Sequence, residues 1–288
     1  MDQYNLISRR ALVQSSIFGL IGASIPSILF AGKHVMPALS PHNERELFHR
    51  YPSIDDAIVA EVVGVSHFNL DRLKELVNQR QDLAKATWDW GFGDWESAIG
   101  AASHVGRRDI VDFLLSKGAR PDIFTYAMLG SFTAVQAMIN ATPGIQSTFG
   151  PHGISLLQHA KNGLMSDTVS QSAKDEYNKL IAYLELLGNA DPKQTHMEMT
   201  DAEMEKYLGD YKYGDDPNDG FSVKINSRKF LSLGKSGKFG GSLYRKSDNL
   251  FSYNGIISLE VYFSIENGNV VSLEIREPDL TLLARKIS

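Results

Sequence analysis

The sequence predicts two parts in series: a helical repeat stack, then a small antiparallel β barrel or meander. Three observations carry this. Between Glu96 and Asp122 two short helical patterns follow one another, and each ends in a glycine, Gly106 and Gly118. From about residue 207 onward the apolar residues alternate with polar ones, the period of a half-buried strand. Asn267-Gly268 sits between the two longest alternating runs and signals a tight hairpin turn.

The bulk numbers set the frame. A chain of 288 residues has room for two modest domains. Its hydrophobic content of 43% and charged content of 22% are those of an ordinary globular protein. A net charge of −5 gives no general nucleic-acid footprint. There is no cysteine, which excludes disulfides, thiolate metal sites and a cysteine nucleophile.

At the N-terminus, Ser8-Arg9-Arg10-Ala11-Leu12 precedes an uncharged run from Val13 to Gly32. A basic start followed by a short apolar stretch reads as a signal peptide over 1–32. The paired Arg9 and Arg10 resemble the twin-arginine export signal, which implies a periplasmic or cell-surface location. If uncleaved, the same run is long enough to remain in the membrane. Residues 33–52 are polar and punctuated by prolines, a linker.

Helical patterns begin near Ser53, where Ser53-Ile54-Asp55-Asp56 offers an N-cap. Ala57, Ile58, Ala60, Val62, Val63 and Val65 form a first apolar face. Asn69 to Ala84 carries a second, with Leu73, Leu76 and Val77 at helical spacing. A loop with all three tryptophans follows, Trp88 to Trp95. The central unit comes next. Ala98, Ile99, Ala101 and Ala102 keep one helix slim, and Ile110, Val111, Phe113, Leu114 and Leu115 line its partner. Neither face can be buried alone, so the pair needs neighbours. A third pair spans 124–140 and ends at Pro143-Gly144. A fourth opens at 150–160, continues after a polar segment from Leu164 to Glu176, and closes with Tyr177 to Leu187 and Gly188.

The run Ala101-Ala102-Ser103-His104-Val105-Gly106, then Ile110 to Leu115, then Gly118-Ala119-Arg120-Pro121-Asp122 resembles an ankyrin repeat. Where that family has Thr-Pro-Leu-His, this chain has Trp95-Glu96-Ser97-Ala98. The resemblance implies ankyrin-like repeats over 53–192. It also implies that the tryptophan loop is a projecting finger of the kind that contacts partners.

Residues 193–206 read as a linker with a short helix capped by Thr200. In the tail, Phe221, Val223 and Ile225 alternate with polar residues. So do Ile257, Leu259, Val261, Phe263 and Ile265, and Val271, Leu273 and Ile275. Shorter strands are expected near Tyr211, Leu231, Leu243, Phe251 and Leu282, about eight in all. Tyr207-Leu208-Gly209-Asp210-Tyr211 at the start and Ala284-Arg285-Lys286-Ile287 at the end resemble the small lipocalin-like domain appended to serine β-lactamase-type hydrolases. That resemblance covers 207–288 and implies an accessory β domain.

Motifs of chemistry are few. Ser232-Leu233-Gly234-Lys235 spells a hydrolase Ser-x-x-Lys, but on a strand pattern where no helix can align the two. Asp215 to Gly220 superficially resembles a calcium loop, without the distal Glu. The eight histidines are dispersed, with no His-x-x-x-His pair, so the spacing argues against a metal site. His104 and His159 read as packing residues.

The functional expectation is therefore an exported, non-catalytic protein–protein interaction module. It has no catalytic residues, no metal and no cofactor. It binds an unidentified protein and no nucleic acid, and it meets a membrane only through an uncleaved signal segment. The partner-binding candidates are Trp88, Trp90, Phe92, Arg107, Arg108, Phe124 and Tyr126, since aromatics and arginines anchor interfaces. The alternative is small-ligand or lipid binding by the barrel, lined by Phe221, Phe251, Tyr253 and Phe263, or an accessory role to an envelope enzyme.

Overall fold

The structure is a computed structural model that describes residues 50–166, 169–238 and 240–287. The signal segment with Arg9 and Arg10, and all but the end of the linker, lie outside the described residues. Helices fill the first half, and a closed antiparallel barrel of eight strands fills the second.

The helical half is written by its caps. Helix α1 (Asp56–Val65) starts where the Asp55 carboxylate accepts from the Ala57 N–H, and α2 (Leu70–Gln79) where Asn69 accepts from Arg72. A 3-10 turn then leads to a hairpin of β1 (Thr87–Asp89) and β2 (Trp95–Ser97), with Thr87 opposite Ser97. Ser97 caps α3 (Ala98–His104) directly, and α4 (Arg108–Ser116) returns. Asp122 caps α5 (Ile123–Met128), which pairs with α6 (Phe132–Ala141). After a 3-10 turn at Pro151–Gly153, Ser155 caps α7 (Leu156–Leu164). Helix α8 (Gln171–Leu187) is capped by Ser170 and closed by Gly188 at φ 73°. The polar stretch up to Glu176 is thus not all insertion: its last residues, from Gln171, form the first turns of α8. They are polar because they face water. No helix among the described residues is long and apolar enough to cross a membrane.

Helices α1, α3, α5 and α7 lie side by side, and each also packs on the helix that follows it. Glycine makes the spacing possible. A Cβ on Gly163 would stand 1.9 Å from the Met128 carbonyl oxygen, and one on Gly106 would stand 2.5 Å from that of Asn162. Gly106 and Gly118 also take positive φ, 74° and 88°, to close α3 and α4.

The expected ankyrin-repeat stack is not what these pairs form. Their second helices run 10, 9, 10 and 17 residues, so they are not copies of one unit. Among the described residues a two-stranded hairpin separates only the first pair from the second. The residues that carried the resemblance are explained locally. Ala101 and Ala102 are wholly buried where helices must approach closely, and the two glycines are left-handed caps. Any tight helix hairpin needs these features, so they specify a hairpin and not a family.

Helix α9 (Asp201–Glu205) has a full capping box between Thr200 and Glu203 and leads into the barrel. Strands β3 (Gly209–Lys212), β4 (Gly220–Ile225), β5 (Leu231–Lys235), β6 (Gly241–Ser247), β7 (Leu250–Tyr253), β8 (Ile256–Glu266), β9 (Asn269–Glu277) and β10 (Leu280–Lys286) pair in chain order, and β10 closes on β3. Asn267 and Gly268 make the β8–β9 turn at φ 49° and 82°. This up-and-down closure fits the lipocalin-like expectation for the tail. The interior holds the barrel's own side chains: Tyr211, Phe251 and Phe263 are fully buried, with Tyr207 edge-on to the two phenylalanines. A barrel of eight strands is just wide enough to be filled this way.

Replacing Gly163 by Ala tests the close approach of α7 to α5. The clash is with backbone, which cannot rotate away, so stability should fall by about 3 kcal/mol, the upper range of overpacking. A denaturation midpoint equal to that of the unaltered protein would refute the contact.

Candidate metal centre

Four side chains from four separate places converge between the hairpin and the helices: His67 after α1, Glu96 in β2, His104 at the end of α3, and His152 in the 3-10 turn before α7. One ligand-type atom from each lies within 4.8 Å of all the others. Glu96 is at the middle and has no solvent exposure. Its Oε1 is 2.9 Å from His104 Nδ1 and 3.4 Å from His152 Nε2, and its Oε2 is 3.4 Å from His67 Nε2. Donors held at zinc bond lengths in a tetrahedron stand about 3.3 Å apart, which is comparable with these separations.

The outer contacts fix which nitrogens face inward. His67 Nδ1 is 3.0 Å from the Gly64 carbonyl oxygen, to which it donates. That leaves the lone pair of Nε2 aimed at a carboxylate oxygen. His152 Nδ1 is 2.8 Å from Asp94 Oδ2, and the His152 backbone N–H donates to Asp94 Oδ1 at 3.0 Å. Trp90 Nε1 donates to Glu96 Oε2 at 2.7 Å. Such carbonyl, carboxylate and N–H partners orient ligands in metal sites. Glu96 Oε1 and His104 Nδ1 face each other in the interior, and neither makes a hydrogen bond of good geometry. Buried polar atoms without a partner are costly, and here they point at a common centre.

The electrostatics agree. Burial pushes the Glu96 carboxyl up, but the imidazoles of His104 and His152 outweigh it and hold the group well below the usual carboxylate range. Burial likewise opposes charge on His152, yet the carboxylates of Asp94 and Glu96 raise its pKa to about 10. Asp94 is lowered: His152 and Asn254 outweigh its burial. His67 is lowered, chiefly by burial, which keeps it neutral and its lone pair available. Asp94 and Glu96 together carry two negative charges, which one divalent cation would balance.

Sequence spacing does not reveal this cluster, and the structure shows why. No two ligands share a helix face, and the closest in sequence, Glu96 and His104, are joined by the whole of α3. The one local signal is an acidic residue in an aromatic loop, Trp95-Glu96, leading straight into a buried helix.

The partner-binding candidates fall in several places. Trp88 and Trp90 are half-buried against the first helical core. Phe92 meets the barrel, its ring 5.2 Å from that of Tyr253. Phe124 is buried beside His159, and Tyr126 is half-buried. Arg107 binds Asp109 and the Phe68 carbonyl oxygen, and Arg108 binds that of Leu129. Trp95, in the same loop, is 62% exposed. Ser232 and Lys235 both lie on β5, away from any helix start.

The Trp90 indole neutralises part of a buried charge, so Trp90→Phe should lower stability by about 2 kcal/mol, the cost of leaving a buried acceptor short of a donor. Denaturant unfolding reads this directly. An unchanged midpoint would mean that Glu96 does not depend on the indole.

Compared with protein families, curated proteins and solved structures, the chain matches none of them. With no family match, the ankyrin-repeat membership is set aside on this ground as well.

Proposed function

We propose that this protein binds one divalent transition-metal ion of the zinc class through His67, Glu96, His104 and His152, and that the ion is structural. The observation that carries this is the convergence of four donor atoms, two of them buried without a hydrogen bond of good geometry. Three imidazoles and one carboxylate suit zinc and its neighbours, whereas calcium and magnesium prefer all-oxygen shells. Four protein donors complete a tetrahedron and leave no position for substrate, which is the mark of structural zinc. Bound there, the ion ties the hairpin to α3, to the end of α1 and to the turn before α7.

Cobalt(II) added to metal-depleted protein should bind one-to-one and give the intense visible bands of tetrahedral nitrogen and oxygen ligation. Zinc at a hundred times its dissociation constant should add about 2.7 kcal/mol to stability. Glu96→Gln and His104→Ala should each weaken binding by a hundredfold or more. Cobalt spectra indistinguishable between the unaltered chain and these variants would end the proposal.

Protein recognition through the hairpin stands as a second reading, favoured by the exposure of Trp95 beside two half-buried tryptophans. Export is proposed on Arg9-Arg10 and the uncharged run that follows. A reporter fused to residues 1–40 should lose export in the Arg9→Lys/Arg10→Lys variant, and continued export would reject the twin-arginine route.

A further inference from the structure

The metal centre does not lie within the helical half alone. Asp94, which holds His152 twice, is itself held from the barrel: Asn254 Nδ2 donates to Asp94 Oδ2 at 2.8 Å. Asn254 occupies the β7–β8 turn at φ 47° and is 6% exposed. Its orientation is determined, because Ser242 of β6 donates its backbone N–H to Asn254 Oδ1 at 3.2 Å. The amide nitrogen therefore has to face Asp94. The Asn254 backbone N–H also donates to the Ser242 carbonyl oxygen at 2.9 Å, which ties the turn to the barrel wall.

The surroundings are closely fitted. His152 takes a left-handed backbone, φ 58° and ψ 21°, which a residue with a Cβ avoids unless its surroundings impose it. A Cβ on the adjoining Gly153 would stand 3.2 Å from the Asn254 carbonyl oxygen. On the other side of Asp94, Phe92 meets Tyr253 edge to face. One barrel turn thus touches both the turn that carries His152 and the hairpin that carries Asp94.

We propose that metal occupancy and docking of the barrel are coupled, with Asn254 as the positioning residue that transmits the coupling through Asp94 to His152. This rests on the metal-binding reading above. A docked barrel fixes Asp94, Asp94 fixes the His152 ring and its backbone, and His152 completes the shell. Coupling between two equilibria is reciprocal, so the ion strengthens docking by the same factor by which docking strengthens ion binding.

The test uses the full chain and cobalt(II) as probe. Asn254→Gly keeps the positive φ and removes only the side chain. It should weaken cobalt binding ten- to a hundredfold, the usual effect of losing an outer-shell partner, and alter the visible bands. Independently, the chain has no cysteine, so Arg120→Cys/Ile257→Cys gives two exposed labelling positions, one in each half. The distance between spin labels there should broaden when a chelator strips the metal and sharpen when zinc is restored. If the unaltered chain binds cobalt, Asn254→Gly binds it equally well and the distances ignore the chelator, the coupling is wrong while the metal site stands. Failure of the unaltered chain to bind cobalt removes both.

Discussion

A carboxylate with no access to water is the constraint on which the centre of this molecule depends. Glu96 is held in its charged form and is fully enclosed between the hairpin and the helices. Taking such a charge out of water is so costly that its surroundings must be built to compensate. Trp90 supplies one donor, His152 a positive ring, and His104 and His67 the remaining wall. The hairpin, two helix ends and an irregular turn are all committed to positions that satisfy one side chain.

That commitment explains features that look incidental in isolation. The 3-10 turn at Pro151–Gly153 breaks what could have been a longer α7, and its strained His152 is the residue that faces Glu96. The Asn162 side chain on α7 donates to the His104 carbonyl oxygen at 2.6 Å and fixes the end of α3. Glycines at 106 and 163 let neighbouring helices approach closely enough for this. His159 lies one turn earlier on α7, wholly buried, with its pKa lowered to about 4 by burial. It stays neutral, packs on Phe124 and adds no charge to the interior.

The barrel reaches the same region with a different kind of contact. Its interior is closed by its own aromatic rings, and what it offers the helices is one turn carrying Tyr253 and Asn254. A filled barrel is a good platform for a single oriented amide, since Ser242 of β6 holds that amide from behind.

Much of the fold was legible in the sequence. Alternation and the Asn267-Gly268 turn determine the β half, because strand period and turn chemistry are local properties. Cap residues such as Asn69 and Thr200, and the closing glycines Gly106, Gly118 and Gly188, likewise determine where helices begin and end. The ankyrin reading misled because small residues and left-handed glycines report how closely two helices pack, which many helical architectures share. The cluster around Glu96 was not legible at all. Its members at 67, 96, 104 and 152 obey no spacing rule, and Glu96 has the same letter whether it faces water or the core. Only tertiary structure decided that point, by enclosing a charge and bringing three distant imidazoles against it.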